Sequence, residues 1–344
     1  MIQKRAVIFA EGEFTGKFSK TARGILKYGS YEMIAVIDST LKGKFVHEFL
    51  PVTKKIPFVG SLKEVLNKKP EVFILGIAPR GGQLPPSWRE VIEEAIDHRL
   101  DIYNGLHLFL GKDEALKKRA EAHKVTLWDS RAYPEKLEVA TAKVLGLRSK
   151  IILTIGTDCA IGKMTATYEL HYEAQKQKFK SVFIPTGQTA IMIEGRGISI
   201  DAVPGDFMAG ACEKMILDYG KDADYIFVEG QGSLSHLGYS NTSLALLHGS
   251  LPTHLVLCHD PSRNNIKDTP FPLPTIERTI KLNEMITPPF RKAKVCGISL
   301  NTSSMDEMNA RKIITEYEQR YGLPTTDAMR FGVKNILDAI TKTE

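Results

Sequence analysis

The chain has 344 residues, 43% of them hydrophobic and 25% charged, the make-up of a folded globular protein long enough for two domains. That composition excludes a disordered tail protein, a collagen-like chain and a small disulfide scaffold. Lys and Arg number 46 against 40 Asp and Glu, a net charge of +6 that suits anionic small molecules at least as well as nucleic acid. Without a dense basic block interleaved with aromatics, no nucleic-acid partner is expected. Cys159, Cys212, Cys258 and Cys296 lie far apart, with no CxxC and no Cys/His cluster in sequence, so neither a disulfide framework nor a zinc pattern is read. The apolar run Ala6–Ala10 is too short for a signal sequence, and no apolar stretch reaches the roughly 18 residues of a membrane span. A cytoplasmic setting with no membrane partner is the expectation.

Along the chain, Ala6–Ala10, Met33–Ile37, Val72–Leu75 and Asp101–Tyr103 are short apolar runs ending in turn residues, the pattern of parallel strands buried on both faces. Between the last two, Ser87 stands three residues before Glu90, a capping box beside Pro85 and Pro86. Trp88, Val91, Ile92, Ala95 and Ile96 then recur on one helical face. Strand, helix and strand in that order give right-handed βαβ units and predict a Rossmann-like domain over residues 1–148. Gly12–Lys17, after the first strand, is one residue short of a phosphate-loop spacing and lacks GxGxxG, so it reads as a turn. Asp38, ending the second strand, reads as a cap or turn, and NAD binding is not expected.

A second α/β series fills residues 149–344. Its strands are Lys150–Ile155, Ser181–Ile184, Tyr225–Val228, His254–Cys258 and Lys294–Ile298, and a helix over Met305–Tyr321 stops at Gly322 with Pro324 beyond. The proline-rich stretch Thr269–Pro274 reads as an ordered loop.

After the first of these strands come Gly156, Thr157, Asp158, Cys159, Ala160, Ile161, Gly162, Lys163, Met164 and Thr165, followed by a helix-compatible segment. Strand, glycine-bounded loop, Gly-Lys and helix are the parts of a phosphate-binding loop. Glycines let backbone N–H groups turn inward, the helix end adds partial positive charge, and the lysine adds a full one. The match to GxxxxGK[ST] is imperfect. Thr157 stands where glycine is wanted, and Met164 stands where a hydroxyl would hold Mg2+. Thr165 is next along, but one residue turns a helix by roughly 100°. Phosphate binding is therefore better supported than Mg2+-dependent phosphoryl transfer; if Mg2+ is used, Thr165 and Glu229 are its candidate ligands. Glu229 ends an apolar strand ahead of Gly230 and Gly232, and Asn301 follows a late strand where it can meet an adenine edge. With the GTDxxxGK loop, these features resemble the dethiobiotin synthetase class of P-loop enzymes.

A closer resemblance covers nearly the whole chain. The loop Gly156–Thr165, Thr186–Thr189, Gly195–Gly197, Asp201–Val203, Asp206–Phe207, Ala209–Gly210, and Glu229–Leu234 with His236 are similar to a P-loop family long catalogued as a domain of unknown function. Some members of that family are assigned as D-glutamate N-acetyltransferases acting with acetyl-CoA. The resemblance implies an N-terminal Rossmann-like domain and makes Met164 normal. Leu237 departs from it, standing where proline is expected.

Acetyl transfer to an amine needs a base and oxyanion donors. The candidate bases are His236, Asp206 and His259, near the strand ends; a lone residue of this kind is more often a packing or capping group than a base. Arg263 is expected to clamp a substrate carboxylate bidentately, with Thr186, Gly187 and Gln188 facing the same pocket. The leading reading is thus acyl transfer from acetyl-CoA to an acidic amino acid, D-glutamate by resemblance, in a chain able to form a homo-oligomer. The alternatives are an ATP- and Mg2+-dependent ligase or kinase and a non-catalytic nucleotide-binding regulator.

Overall fold

The computed structural model describes residues 3–78, 84–287 and 289–342. Two compact units each carry a six-stranded sheet, and every strand pair in both is parallel. No helix among the described residues is long and apolar enough to cross a membrane.

The first unit runs to Tyr133 and takes in Gly187–Ser199. Its strands are β1 (Arg5–Phe9), β2 (Glu32–Ile37), β3 (Phe58–Val59), β4 (Val72–Leu75), β5 (Asp101–Asn104) and β6 (Leu127–Asp129), in the Rossmann order β3-β2-β1-β4-β5-β6. Helices α1 (Lys20–Tyr28), α2 (Pro86–Asp97) and α3 (Glu114–His123) follow β1, β4 and β5. The central strands β1, β2 and β4 are apolar over most of their length rather than alternating, as suits a sheet covered on both faces. Val7, Phe9, Phe73 and Leu75 pack with Ile92, Ala95 and Ile96 of α2. Gly76 lets α1 lie close: a Cβ there would stand 2.4 Å from Ile8 and 2.9 Å from the Ala22 side chain. The expected capping box is absent. Pro85 is the N-cap and Pro86 opens α2, so Ser87 lies inside the first turn and makes no cap bond. Asp38 caps a short turn, accepting from the Thr40 N–H and hydroxyl, and also holds the Phe14 N–H.

The second unit comprises Pro134–Thr186 and Ile200 onward. Its strands are β7 (Lys150–Gly156), β8 (Ser181–Ile184), β9 (Tyr225–Val228), β10 (His254–His259), β11 (Lys294–Leu300) and β12 (Thr325–Thr326), in the order β12-β11-β10-β7-β9-β8. The helices are α4 (Lys163–Lys176), α5 (Gln188–Glu194, which belongs to the first unit), α6 (Met208–Gly220), α7 (Ser240–Ser250), α8 (Ile276–Glu284), α9 (Glu307–Tyr321) and α10 (Lys334–Lys342). Strand β7 is central. The chain leaves it toward β8 and β9 on one side and later adds β10 to β12 on the other, so the β7–α4 loop sits at the topological switch point where such sheets bind ligands.

The units divide at Tyr133, ahead of residue 148, because the intervening segment packs on α6. The Thr141 N–H bonds the Glu213 carboxylate at 2.8 Å, and any Cβ on Gly210 would stand 1.8 Å from the Glu138 carbonyl oxygen. Helix α5 completes the α1 side of the first unit. Thr189 meets Thr21 at 3.0 Å, and the Tyr31 hydroxyl donates to the Met192 carbonyl at 2.6 Å.

Candidate functional site

The loop between β7 and α4 takes the shape its sequence predicts. Ala160 and Gly162 adopt positive φ of 53° and 104°, which turns the backbone into a cradle before the first turn of α4. Gly156 is required by close approach: a Cβ would lie 2.6 Å from Ile161 and 3.2 Å from the Lys163 ammonium. Ile161 is buried in the core beneath the loop. The Lys163 Nζ donates to the Asp158 carbonyl at 2.7 Å, so the ammonium spans the loop it serves. Met164 is buried, and Thr165 is half-buried in the same turn.

A relay of hydroxyls ties this helix to the neighbouring strand. The Gly230 N–H donates to Thr154 Oγ1 at 2.9 Å, Thr154 meets Thr167 at 2.9 Å, and Thr167 donates to the Lys163 carbonyl at 2.8 Å. Gly230 must be glycine, because a Cβ would stand 1.6 Å from the Thr154 carbonyl oxygen. At the end of β9, Glu229 is buried and its Oε2 accepts the Thr186 N–H at 3.0 Å, while the Thr186 hydroxyl donates to the Glu229 carbonyl at 2.7 Å.

Arg263 reaches the loop from beyond β10. Its Nη1 donates to the Asp158 carboxylate and to the Cys159 carbonyl, both at 2.7 Å, and its Nη2 donates to the Ala160 carbonyl at 3.3 Å. The Lys267 N–H adds a second bond to the same carboxylate oxygen at 2.8 Å. The fork expected to clamp a substrate is therefore wrapped around three consecutive loop residues.

Of the candidate bases, two lie beside the loop. His259 is buried, shares its Nδ1 with the Thr157 hydroxyl at 2.9 Å and stacks on Tyr317. Burial pushes its pKa down to about 4, so the ring is neutral at physiological pH. His236 accepts the Gly238 N–H at Nδ1, which leaves the proton on Nε2 to bond the Lys267 carbonyl, each at 3.1 Å. Leu237 is 75% exposed, and the turn around it closes without proline through bonds from Tyr239 and Ser240 to the His236 carbonyl. Asp206 is exposed on the turn Gly205–Phe207 ahead of α6, and no hydrogen bond or ion pair links it to the loop among the described residues. Asn301 follows β11, where its Oδ1 accepts the Ser303 N–H at 3.3 Å.

Residues 138–337 match the P-loop domain of a family of unknown function, DUF1611, and residues 39–133 match its Rossmann-like N-terminal domain. The chain belongs to the DUF1611 family. A DUF1611 protein of Anabaena variabilis, known from a crystal structure, is 37% identical and superposes with a TM-score of 0.95 over 99% of this chain and all of that one. Two relatives named D-glutamate N-acetyltransferase are similar in sequence. That of Tritonibacter scottomollicae is 36% identical over 81% of this chain and 84% of its own length. That of a Pseudoalteromonas species is 38% identical over 80% of this chain and 83% of its own.

Within this DUF1611 chain, the second unit gathers the loop, Arg263, His236, His259, Glu229 and Thr186 through the bonds described above. Gly187 and Gln188 belong to the first unit, where Gln188 accepts from Arg131 at 3.5 Å. Sequence reading misses the Thr154–Thr167 relay and the anchoring of Thr302 by Asp327, whose Oδ2 accepts the Thr302 N–H at 2.9 Å and hydroxyl at 2.6 Å. An open groove of about 430 Å³ adjoins that segment, lined by Met305, Asp306, Asn309 and Lys312 among others.

Proposed function

We propose that this protein is an N-acyltransferase that moves the acetyl group of acetyl-CoA to the amine of an acidic amino acid, D-glutamate by the naming of its relatives. The observation that carries the reading is the loop. Lys163, the turned backbone at Ala160 and Gly162 and the amino end of α4 make an anion cradle. Met164, buried, takes the position of the Mg2+-binding hydroxyl. Such a cradle suits a ligand whose phosphates are a handle and not the reacting group. Coenzyme A is one, and its thioester supplies an activated acyl group.

In this reading Lys163 and the first N–H groups of α4 hold the diphosphate. Asn301 and the groove beside it take the base. Arg263 keeps the loop in its binding shape instead of clamping substrate, since its donors are engaged with Asp158, Cys159 and Ala160. The attacking amine must lose a proton. His259 has a pKa near 4 and a fixed bond to Thr157, which suits a buried hydrogen-bond partner better than a base. His236 has both ring nitrogens bonded to backbone. Asp206, exposed and outside the loop's bonds, is the proton acceptor of this proposal.

The test measures free thiol released from acetyl-CoA with D-glutamate, L-glutamate or no amino acid. D-glutamate-dependent thiol release is expected, with kcat lost and coenzyme affinity kept in Asp206→Asn. ADP release from Mg2+-ATP without thiol release would overturn the reading in favour of a ligase or kinase.

A further inference from the structure

Cys159 and His236 are remote in sequence, and the fold brings them together. A carboxylate oxygen of Asp158, the Cys159 sulfur and a ring nitrogen of His236 all lie within 4.8 Å of one another. Asp158 has no exposed surface. Its Oδ2 carries the bonds from Arg263 and Lys267, but its Oδ1 is buried with no hydrogen-bond partner. An unpaired buried acceptor is costly, the more so when charged, so a carboxylate with an orphan oxygen, set beside a thiol and an imidazole, calls for a partner from outside the chain. We propose that Asp158, Cys159 and His236 form a binding site for a borderline-soft divalent cation of the Zn2+ class, set against the phosphate loop.

The donor set selects that class. Thiolate and imidazole ligands favour Zn2+ and Co2+ over the oxygen-seeking Mg2+ and Ca2+. Three protein ligands leave a fourth tetrahedral position for water or a ligand oxygen. The site depends on the loop's geometry and not on the acyl-transfer reading, so either can fail without the other.

Two features set its conditions. Both His236 nitrogens now bond backbone, so ligation exchanges one of those bonds for the cation. The other bond then fixes the ring, as an outer partner of a ligating histidine does. Two cations already stand at the site: the Lys163 ammonium bonds the Asp158 carbonyl, and Arg263 bonds the Asp158 carboxylate and the Cys159 carbonyl. An anion in the loop offsets them. Cation and loop anion therefore bind with positive coupling, and the coupling is reciprocal. Binding replaces the S–H bond of Cys159 by a sulfur–metal bond and releases one proton to solvent.

The experiment uses the full chain stripped with chelator and dialysed, then titrated with Zn2+ by calorimetry and with Co2+ by absorption. One cation per chain is expected, with a thiolate-to-Co2+ charge-transfer band and tighter binding when saturating sulfate occupies the loop. Cys159→Ser and His236→Gln should each weaken binding by about 100-fold or more, and Cys159→Ser should abolish the band. Cys296→Ser, which removes the other partly exposed thiol, should change neither. A thermal melt of each variant separates lost binding from lost fold, with Cys159→Ala as the second substitution at that position. No thiolate–Co2+ band in the wild type, a band that survives Cys159→Ser, or binding weakened by sulfate would overturn the proposal.

Discussion

Replacing Arg263 by alanine removes at once the bonds to the Asp158 carboxylate and to the carbonyls of Cys159 and Ala160. The carboxylate is fully buried, and the arginine side chain is 24% exposed. Breaking a buried ion pair costs about 3–5 kcal/mol because one charge is left uncompensated. The arginine's partial exposure places this pair at the lower end, about 3 kcal/mol, since water can reach the vacated position. At about 2–4 °C per kcal/mol for a domain of this size, Tm should fall by roughly 6–12 °C. Coenzyme affinity should fall as well, because the loop backbone that meets the phosphates is what the arginine holds. Arg263→Lys restores the charge but supplies a single ammonium where a planar fork serves three residues, so it should recover only part of both losses. Thermal melts and calorimetry with coenzyme A provide the readings. An Arg263→Ala protein that melts within about 2 °C of wild type, binds coenzyme A equally well and shows only a raised KM for the amino acid would refute this reasoning and return Arg263 to the substrate.

Lys163→Ala should weaken coenzyme binding by roughly 1.5–3 kcal/mol, the worth of a hydrogen bond to a charged group, and calorimetry would read it directly. Omitting Mg2+ should leave thiol release unchanged, since Met164 offers no metal ligand; strict Mg2+ dependence would count for the ATP reading. His254 and His259 are both pushed down to about 4 by burial. Their neutral forms therefore stabilise the fold fully above the unfolded pKa of about 6.5, and that stability is lost as pH falls from there toward 4. Denaturant melts should show a slope approaching about 1.4 kcal/mol per pH unit for each histidine in that window, reduced in His259→Asn.

The strands were legible because parallel strands buried on both faces are written as unbroken apolar runs, as in Val72–Leu75 and Tyr225–Val228. The phosphate loop was legible because strand, glycine turn, lysine and helix are contiguous. What was hidden depends on contacts between distant segments. Strands β3 and β12 have two residues each, too few to show a period. Helix α5 lies in the middle of the second strand series yet packs in the first unit. Thr189 through Ile193 are all buried, so the sequence marks a buried helix without saying against what. Ser87 and Glu90 have the spacing of a capping box, but Pro85 is the N-cap and the helix starts two residues earlier than that box requires. Arg263 was placed correctly beyond β10, near the loop. Its partners, however, are the loop's own carbonyls and Asp158, and nothing in the spacing of residues 158 and 263 announces that pair.

The two departures of the loop from a phosphoryl-transfer pattern point the same way. In a loop that works on Mg2+-nucleotide, a hydroxyl after the lysine and an acid on a neighbouring strand both serve the metal. Here the first position holds Met164, whose side chain packs inward, and the acid nearest the expected place, Glu229, accepts the Thr186 N–H. The hydroxyl relay through Thr154 and Thr167 ties the end of β9 to the first turn of α4. Protein bonds thus supply the alignment that a shared cation supplies elsewhere. In the proposed reading, a loop so aligned would keep its affinity for phosphates without the means to activate them, the combination that an acyl carrier with phosphate handles requires.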